Sequence, residues 1–187
     1  MLAPLPAPHR EALVKALTKA HTILDGAKGE ITLRAHRPGD MGWVTSANAA
    51  LYAQEYGWDI SYEALVARIT ADFIENFAPR REYCWIAEMD GERVGSAFVV
   101  KKTDAIAKLR LLIVDPKARG IGLGKRLVDE CLRFAKEAGY TSMTLWTQAN
   151  LLAARGIYAR AGFTMTAAEP NRAFGVDLVS ETWERAL

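Results

Sequence analysis

Cysteine is scarce in this 187-residue chain: there are only Cys84 and Cys131, far apart and not in a Cys-x-x-Cys pair. That excludes a disulfide-dense scaffold and fits two buried thiols in a cytosolic protein. The three histidines, His9, His21 and His36, all precede the central motifs. A Ser-His-acid triad or a zinc site in the later chain would therefore lack partners, and no metal is expected. No apolar run approaches the ~18 residues of a membrane span. The amino terminus has no basic segment leading into an apolar core, so neither a membrane nor a secretory route is expected. Low-complexity tracts and internal repeats are absent as well. Charge of one sign is not in excess, since a net +2 is too small to imply nucleic-acid or membrane binding by bulk electrostatics. What is there, 50% hydrophobic and 25% charged residues, suits one ordinary domain with a sizeable core and a short extension.

Glycine is concentrated where it has most consequence. Arg119-Gly120-Ile121-Gly122-Leu123-Gly124 follows the strand-like run Lys108 to Val114 and precedes the helical pattern Lys125 to Phe134. A glycine turn between strand and helix lets backbone approach a ligand closely, because no Cβ intervenes. It also turns the unpaired N–H groups of the helix, at the positive end of its dipole, toward an anion. Lys117 to Arg126 contains four positive charges and no negative one, so the local chemistry reads as a phosphate cradle. A P-loop would need glycine where Arg119 stands, and Ser or Thr where Arg126 stands. A dinucleotide fingerprint would need a small residue at Lys125 or at Leu127.

Periodicity divides the chain. An amphipathic helix is expected over 9–24, with Leu13, Leu17, Ala20 and Leu24 in register, and a boundary at 25–30. Strand 31–34 follows, then a helix capped by Asp40 through about Ala53, an aromatic and acidic turn at 54–59, and a helix from Ser61 to about Phe77. Strands at 83–89 and 93–102 are joined through Asp90-Gly91, a hairpin signal. The glycine-loop strand covers 107–114 and its helix 122–138. A strand at 143–147, a helix at 150–161 and strands at 163–168 and 173–186 complete the order. The pattern alone gives a mixed α/β domain.

The remaining spacing, Arg-x-x-Gly-x-Gly, resembles the acyl-CoA pyrophosphate loop of GNAT-type N-acetyltransferases. A second segment matches in order: Asn150, then Tyr158 eight residues on, then Gly162-Phe163. The resemblance covers about residues 31–187 and implies a mixed central sheet flanked by helices, with an extra N-terminal helix. It also implies acetyl-CoA as co-substrate, bound by Arg119, Gly120, Ile121, Gly122, Leu123, Gly124 and Lys125 through their backbone, by Leu112, Ile113 and Val114 as an added strand, and by Asn150. Tyr158 is then the general acid, and transfer is direct, since neither motif contains a cysteine. Some members place a glutamate on the strand before the loop, where this chain has Lys108 and Arg110. Glu55 and Glu88 are the candidate bases, with a water chain as the alternative. The acceptor expected is a small amine, amino acid or peptide amine, with Tyr52, Glu55, Tyr56 and Trp58 shaping its pocket.

Residues 1–30 resemble the last helix of a MarR-type winged-helix regulator, and the downstream sequence resembles the acetyltransferase half of MarR–GNAT fusions. That implies a homodimer contact through the helix; a helix covering the domain's own apolar surface is the alternative. The recognition helix and wing are not in this sequence, so no nucleic-acid binding by this chain is expected. A non-enzymatic acyl-CoA-binding module serving a regulator is the rival to the enzyme.

Overall fold

The computed structural model describes residues 6–24 and 29–187. Among these, seven strands form one sheet: β1 (Ile31–Ala35), β2 (Tyr83–Met89), β3 (Glu92–Lys101), β4 (Ile106–Val114), β5 (Ser142–Gln148), β6 (Thr164–Ala173) and β7 (Val176–Ala186). Their order is β1-β2-β3-β4-β5-β7-β6, antiparallel except for the β4–β5 pair. The helices are α1 (Ala7–Leu24), α2 (Asp40–Tyr56), α3 (Ile60–Glu75), α4 (Leu123–Glu137) and α5 (Leu152–Arg160). None is long and apolar enough to cross a membrane among the described residues.

The alternation within β2 explains the layering. Cys84 and Ile86 are buried with Val44, Tyr62, Val66 and Phe73 of α2 and α3, while Trp85 and Ala87 are buried with Leu127, Val128 and Cys131 of α4. A strand covered on both faces needs no polar positions, so it reads as a nearly continuous apolar run. The two cysteines are free and lie in opposite layers.

Several boundaries shift for local reasons. Helix α2 runs to Tyr56, one turn past Ala53, and ends at Gly57 in a left-handed conformation (φ 68°). Glu55 and Tyr56 are therefore helical. Gly39, not Asp40, holds the cap position of α2. Asp59, not Ser61, caps α3, accepting from the Ser61 N–H at 2.9 Å. Strand β6 extends to Ala173 although Pro170 lies inside it, because an edge strand has one side with no ladder to complete. The boundary expected at 25–30 falls mostly outside the described residues. Helix α1 forms as expected, with Leu13 47% and Leu17 60% exposed.

Asp40 is displaced from its expected role to a more demanding one. It is 2% exposed and accepts hydrogen bonds from Arg34 (2.6 and 3.1 Å), from the Arg37 N–H (2.7 Å) and from Arg93 (3.3 Å). Arg34 also donates to Glu88 at 2.8 and 2.9 Å, tying α2 to β1, β2 and β3. Burial by itself would raise the Asp40 pKa, but the hydrogen bonds from Arg34 and Arg37 and the charge of Arg34 hold it below 3.8. Asp40→Asn should lower the unfolding free energy by about 3 kcal/mol at pH 7, the low end for breaking a buried pair, since Glu88 still holds Arg34. Asp40 has a depressed native pKa, so its contribution is complete above 3.8 and is lost as pH falls through the native value. Denaturant titrations of wild type and variant should therefore converge in acid.

Candidate active site

The site begins where β4 and β5 part. They pair in parallel only from Ile106–Ser142 to Leu109–Leu145. Beyond that, β5 continues against β7 through Gln148–Ser180, and β4 continues against β3 through Val114–Gly95. A bulge adds one residue to β4 opposite Ser96–Phe98, with Leu111 at φ 48° and its carbonyl accepting from Ser96 Oγ at 3.0 Å. The β5-facing edge of Leu112, Ile113 and Val114 has no strand beside it.

Two cavities open along this split. One, about 330 Å³, is lined by Leu112 to Val114 and by Arg119, Gly120, Gly122, Leu123, Gly124 and Lys125. The other, about 360 Å³, is lined by Tyr158 together with Asn48, Tyr52, Trp58, Tyr62 and residues of β4 and β5. They share Tyr52, Leu112, Leu151 and Ala154. The second cavity draws its walls from both core layers, Leu109 and Tyr158 from one and Trp58, Tyr62, Val66 and Leu151 from the other.

The glycine loop is built for an anion. A short 3-10 turn (Pro116–Ala118) leads to Gly120 (φ 76°) and Gly122 (φ 83°), and a Cβ at either would meet nothing within 4 Å. Gly122 caps α4 without a side-chain hydrogen bond, and the Arg126 N–H is the first to bond back, to the Gly122 carbonyl at 3.0 Å. The N–H groups of Leu123, Gly124 and Lys125 therefore remain for a ligand. Gly124 has a different job: a Cβ there would sit 2.7 Å from Ile157 Cδ1, so this glycine lets α4 pack closely on α5. Ile121 lines neither of these cavities but a separate one beside Ile31 and Arg126.

The loop's charge is less free than its sequence implies. Lys117 is 2.6 Å from Glu92, Lys125 2.5 Å from Asp129, and Arg126 donates to the Ile31 carbonyl at 2.9 Å. Arg119 is held by Glu55 at 2.8 Å. Glu55 thus stands at the loop cavity, away from Tyr158, and Glu88 lines neither cavity and is engaged by Arg34. The structure brings neither candidate base to Tyr158. Asn150 is exposed in the turn before α5, outside both linings, and Leu151 occupies the cap position. Tyr52 and Trp58 line the Tyr158 cavity, whereas Glu55 and Tyr56 line the loop cavity. Sequence reasoning missed Arg160 at the loop cavity, and Asn48, Tyr62, Trp146 and Gln148 at the other. No motif marks them, because they come from separate elements.

Tyr158 is 5% exposed, and its hydroxyl has no hydrogen-bond partner among the described residues. Burial, with Tyr52 and Cys131 beside it, raises its pKa well above the ordinary phenol value. It therefore keeps its proton throughout the neutral range. Burial likewise pushes Tyr52 up to about 12. Tyr62 donates to Asn48 Oδ1 at 3.4 Å. Burial pulls Lys108, on β4 in the same cavity, below the ordinary lysine range, with the charges of Arg110 and Lys102 adding to the effect. Burial raises the Cys84 and Cys131 thiols, and neither lines the two cavities. No group of three or more His, Cys, Asp or Glu able to hold a metal occurs among the described residues.

A family model described as the acetyltransferase (GNAT) family matches residues 47–163. A mycothiol acetyltransferase of Sanguibacter keddieii is 29% identical over 174 residues, covering 81% of this chain and 53% of its own length. A mycothiol acetyltransferase of Streptomyces avermitilis is 33% identical over 138 residues, covering 71% of this chain and 42% of its own. The chain thus spans about half the length of these curated relatives. Among solved structures, a ribosomal-protein-alanine N-acetyltransferase of Brucella melitensis superposes with TM-score 0.65 at 17% identity, covering 83% of this chain and 99% of that one. A structure from Salmonella typhimurium with its cofactor acetyl-CoA gives 0.66 at 19% identity, covering 84% and 94%. These likenesses concern the fold. With the family model spanning the glycine loop and the Tyr158 segment together, the chain belongs to the GNAT family of acetyltransferases.

Proposed function

We propose that the protein is an acetyl-CoA-dependent N-acetyltransferase that moves an acetyl group directly to a primary amine. One observation carries the reading: the cavity of the glycine loop and the cavity of Tyr158, whose hydroxyl has no hydrogen-bond partner among the described residues, share a wall of four residues. A ligand anchored by its phosphates at the loop can reach that phenol along the open edge of β4. The residues fit such a ligand. Gly120 and Gly122 leave open space where a side chain would stand, α4 offers free N–H groups, and Leu112 to Val114 offer a strand edge. Acetyl-CoA supplies the acetyl group as a thioester; the protein supplies positioning and protons.

Positioning can account for up to ~7–11 kcal/mol of the barrier when both reactants are held in an attack geometry. As the C–N bond forms and the C–S bond breaks, Tyr158 gives its proton to the departing sulfur. The proton lost by the amine leaves to water, since no carboxylate lines the cavity. Two cations there, Lys108 and Arg110, disfavour an ammonium and so favour the free amine that must attack. Neither cysteine is placed to carry an acyl group.

Release of CoA with a broad panel of amines tests the activity. Tyr158→Phe should leave acetyl-CoA affinity nearly unchanged while kcat falls roughly 10²–10⁴-fold, the range for losing one acid–base group. Full kcat in that variant would make the phenol structural. Gly122→Val should abolish acetyl-CoA binding by calorimetry, because it puts a side chain in the open space and strains a left-handed residue. Gly124→Val should chiefly lower the melting temperature through Ile157. Glu55→Gln frees Arg119, so the acetyl-CoA Kd should fall, by up to roughly 5-fold for an exposed pair worth at most ~1 kcal/mol.

A further inference from the structure

Lys108 and Arg110 stand two residues apart on β4, so both side chains leave the same face of the sheet. It is the face of Phe98 and Val100, their register partners on β3. Both line the cavity of Tyr158, and neither lines the cavity of the glycine loop. They are therefore not placed to serve the phosphates of the donor.

Their counter-charges are missing. Among the described residues, no Asp or Glu lines the Tyr158 cavity, and neither cation forms an ion pair or hydrogen bond. A further cavity that the two cations also line adds Asp72, Glu82, Lys101 and Lys102. The two Glu82 carboxylate oxygens accept from the backbone N–H groups of Ala78 and Lys101. Asp72 is exposed on α3 and partly offsets the burial of Arg110 without pairing with it. Two neighbouring half-buried cations with no carboxylate paired to either cost free energy, which an anionic ligand would return. The planar guanidinium of Arg110 suits a carboxylate or phosphate in particular.

We infer that the acceptor is an amine that also carries an anionic group, a carboxylate or a phosphate, and that Lys108 and Arg110 hold that group. The inference rests on the acetyltransferase reading above and narrows it. The same pair then serves twice, attracting the anionic end and disfavouring a proton on the amine.

The test is the ratio of kcat/KM between matched amines, corrected for the fraction of free amine. The pairs are α-, β- and γ-amino acids against their carboxamides, and O-phosphoethanolamine against ethanolamine. The anionic member should be preferred roughly 10–100-fold, the scale of one or two charge-assisted hydrogen bonds. Whether the amino acids or the phosphoamine show the larger ratio identifies the anion. In Lys108→Met and Arg110→Met, checked for native melting, the ratio should fall toward one. Equal or better use of the uncharged amines by wild type would overturn the inference, as would a ratio that survives both substitutions. If acetyl-CoA binds but no amine is acetylated, the transferase reading fails by itself. Calorimetry with N-acetyl-γ-aminobutyrate and its amide then decides the anion site: selective binding of the acid, lost in the variants, upholds it, and no selectivity refutes it.

Discussion

The separation of β4 from β5 after Leu109 and Leu145 is the constraint on which the rest of the site depends. The bulge at Leu111 takes one extra residue into β4 and is held by Ser96 Oγ on the neighbouring strand. A left-handed leucine is locally unfavourable, and it persists because the pairing of β3 with β4 on either side determines it. With the strands apart, the two core layers meet through the sheet, and the buried face of α5 reaches the cavity bounded by α2 and α3. Tyr158 is accessible for that reason, although it belongs to the layer of α4.

Charge in this molecule is distributed by function of place. At the loop every cation that the sequence clusters has an acceptor: Glu92, Glu55, Asp129 or the Ile31 carbonyl. Anion attraction there falls mainly to backbone N–H groups at the start of α4, which cannot be neutralised by a side chain. The Tyr158 cavity is the reverse: among the described residues its two cations form no ion pair, and no carboxylate lines it. The proposed transfer to an amine gains from this arrangement, because a positive surrounding lowers the proton affinity of whatever nitrogen enters it.

The Arg34–Asp40–Glu88–Arg93 network does unrelated work. It anchors the start of α2 to three strands, and α2 carries Asn48 to one cavity, Glu55 to the other and Tyr52 to both. A carboxylate that looked available for proton transfer, Glu88, is thereby engaged in holding the scaffold. Sequence cannot tell these roles apart, because both use the same residue type on a strand.

The sequence by itself determined the order of elements, the hairpin at Asp90-Gly91 and the strand–glycine–helix unit. Each of these depends on neighbours in the chain: a period of 2 or 3.6, a left-handed turn, a helix start. It also carried the two family motifs, whose spacing is local. Only the tertiary structure decided the rest. Glu55 meets Arg119 across 64 positions, Gly124 meets Ile157, and Lys108 and Arg110, Trp58, and Tyr158 come from three segments to one cavity. Burial and charge pairing act through space, and they set which cations are paired, which tyrosines hold their protons most firmly and which glutamate is engaged. A linear pattern holds no record of those distances.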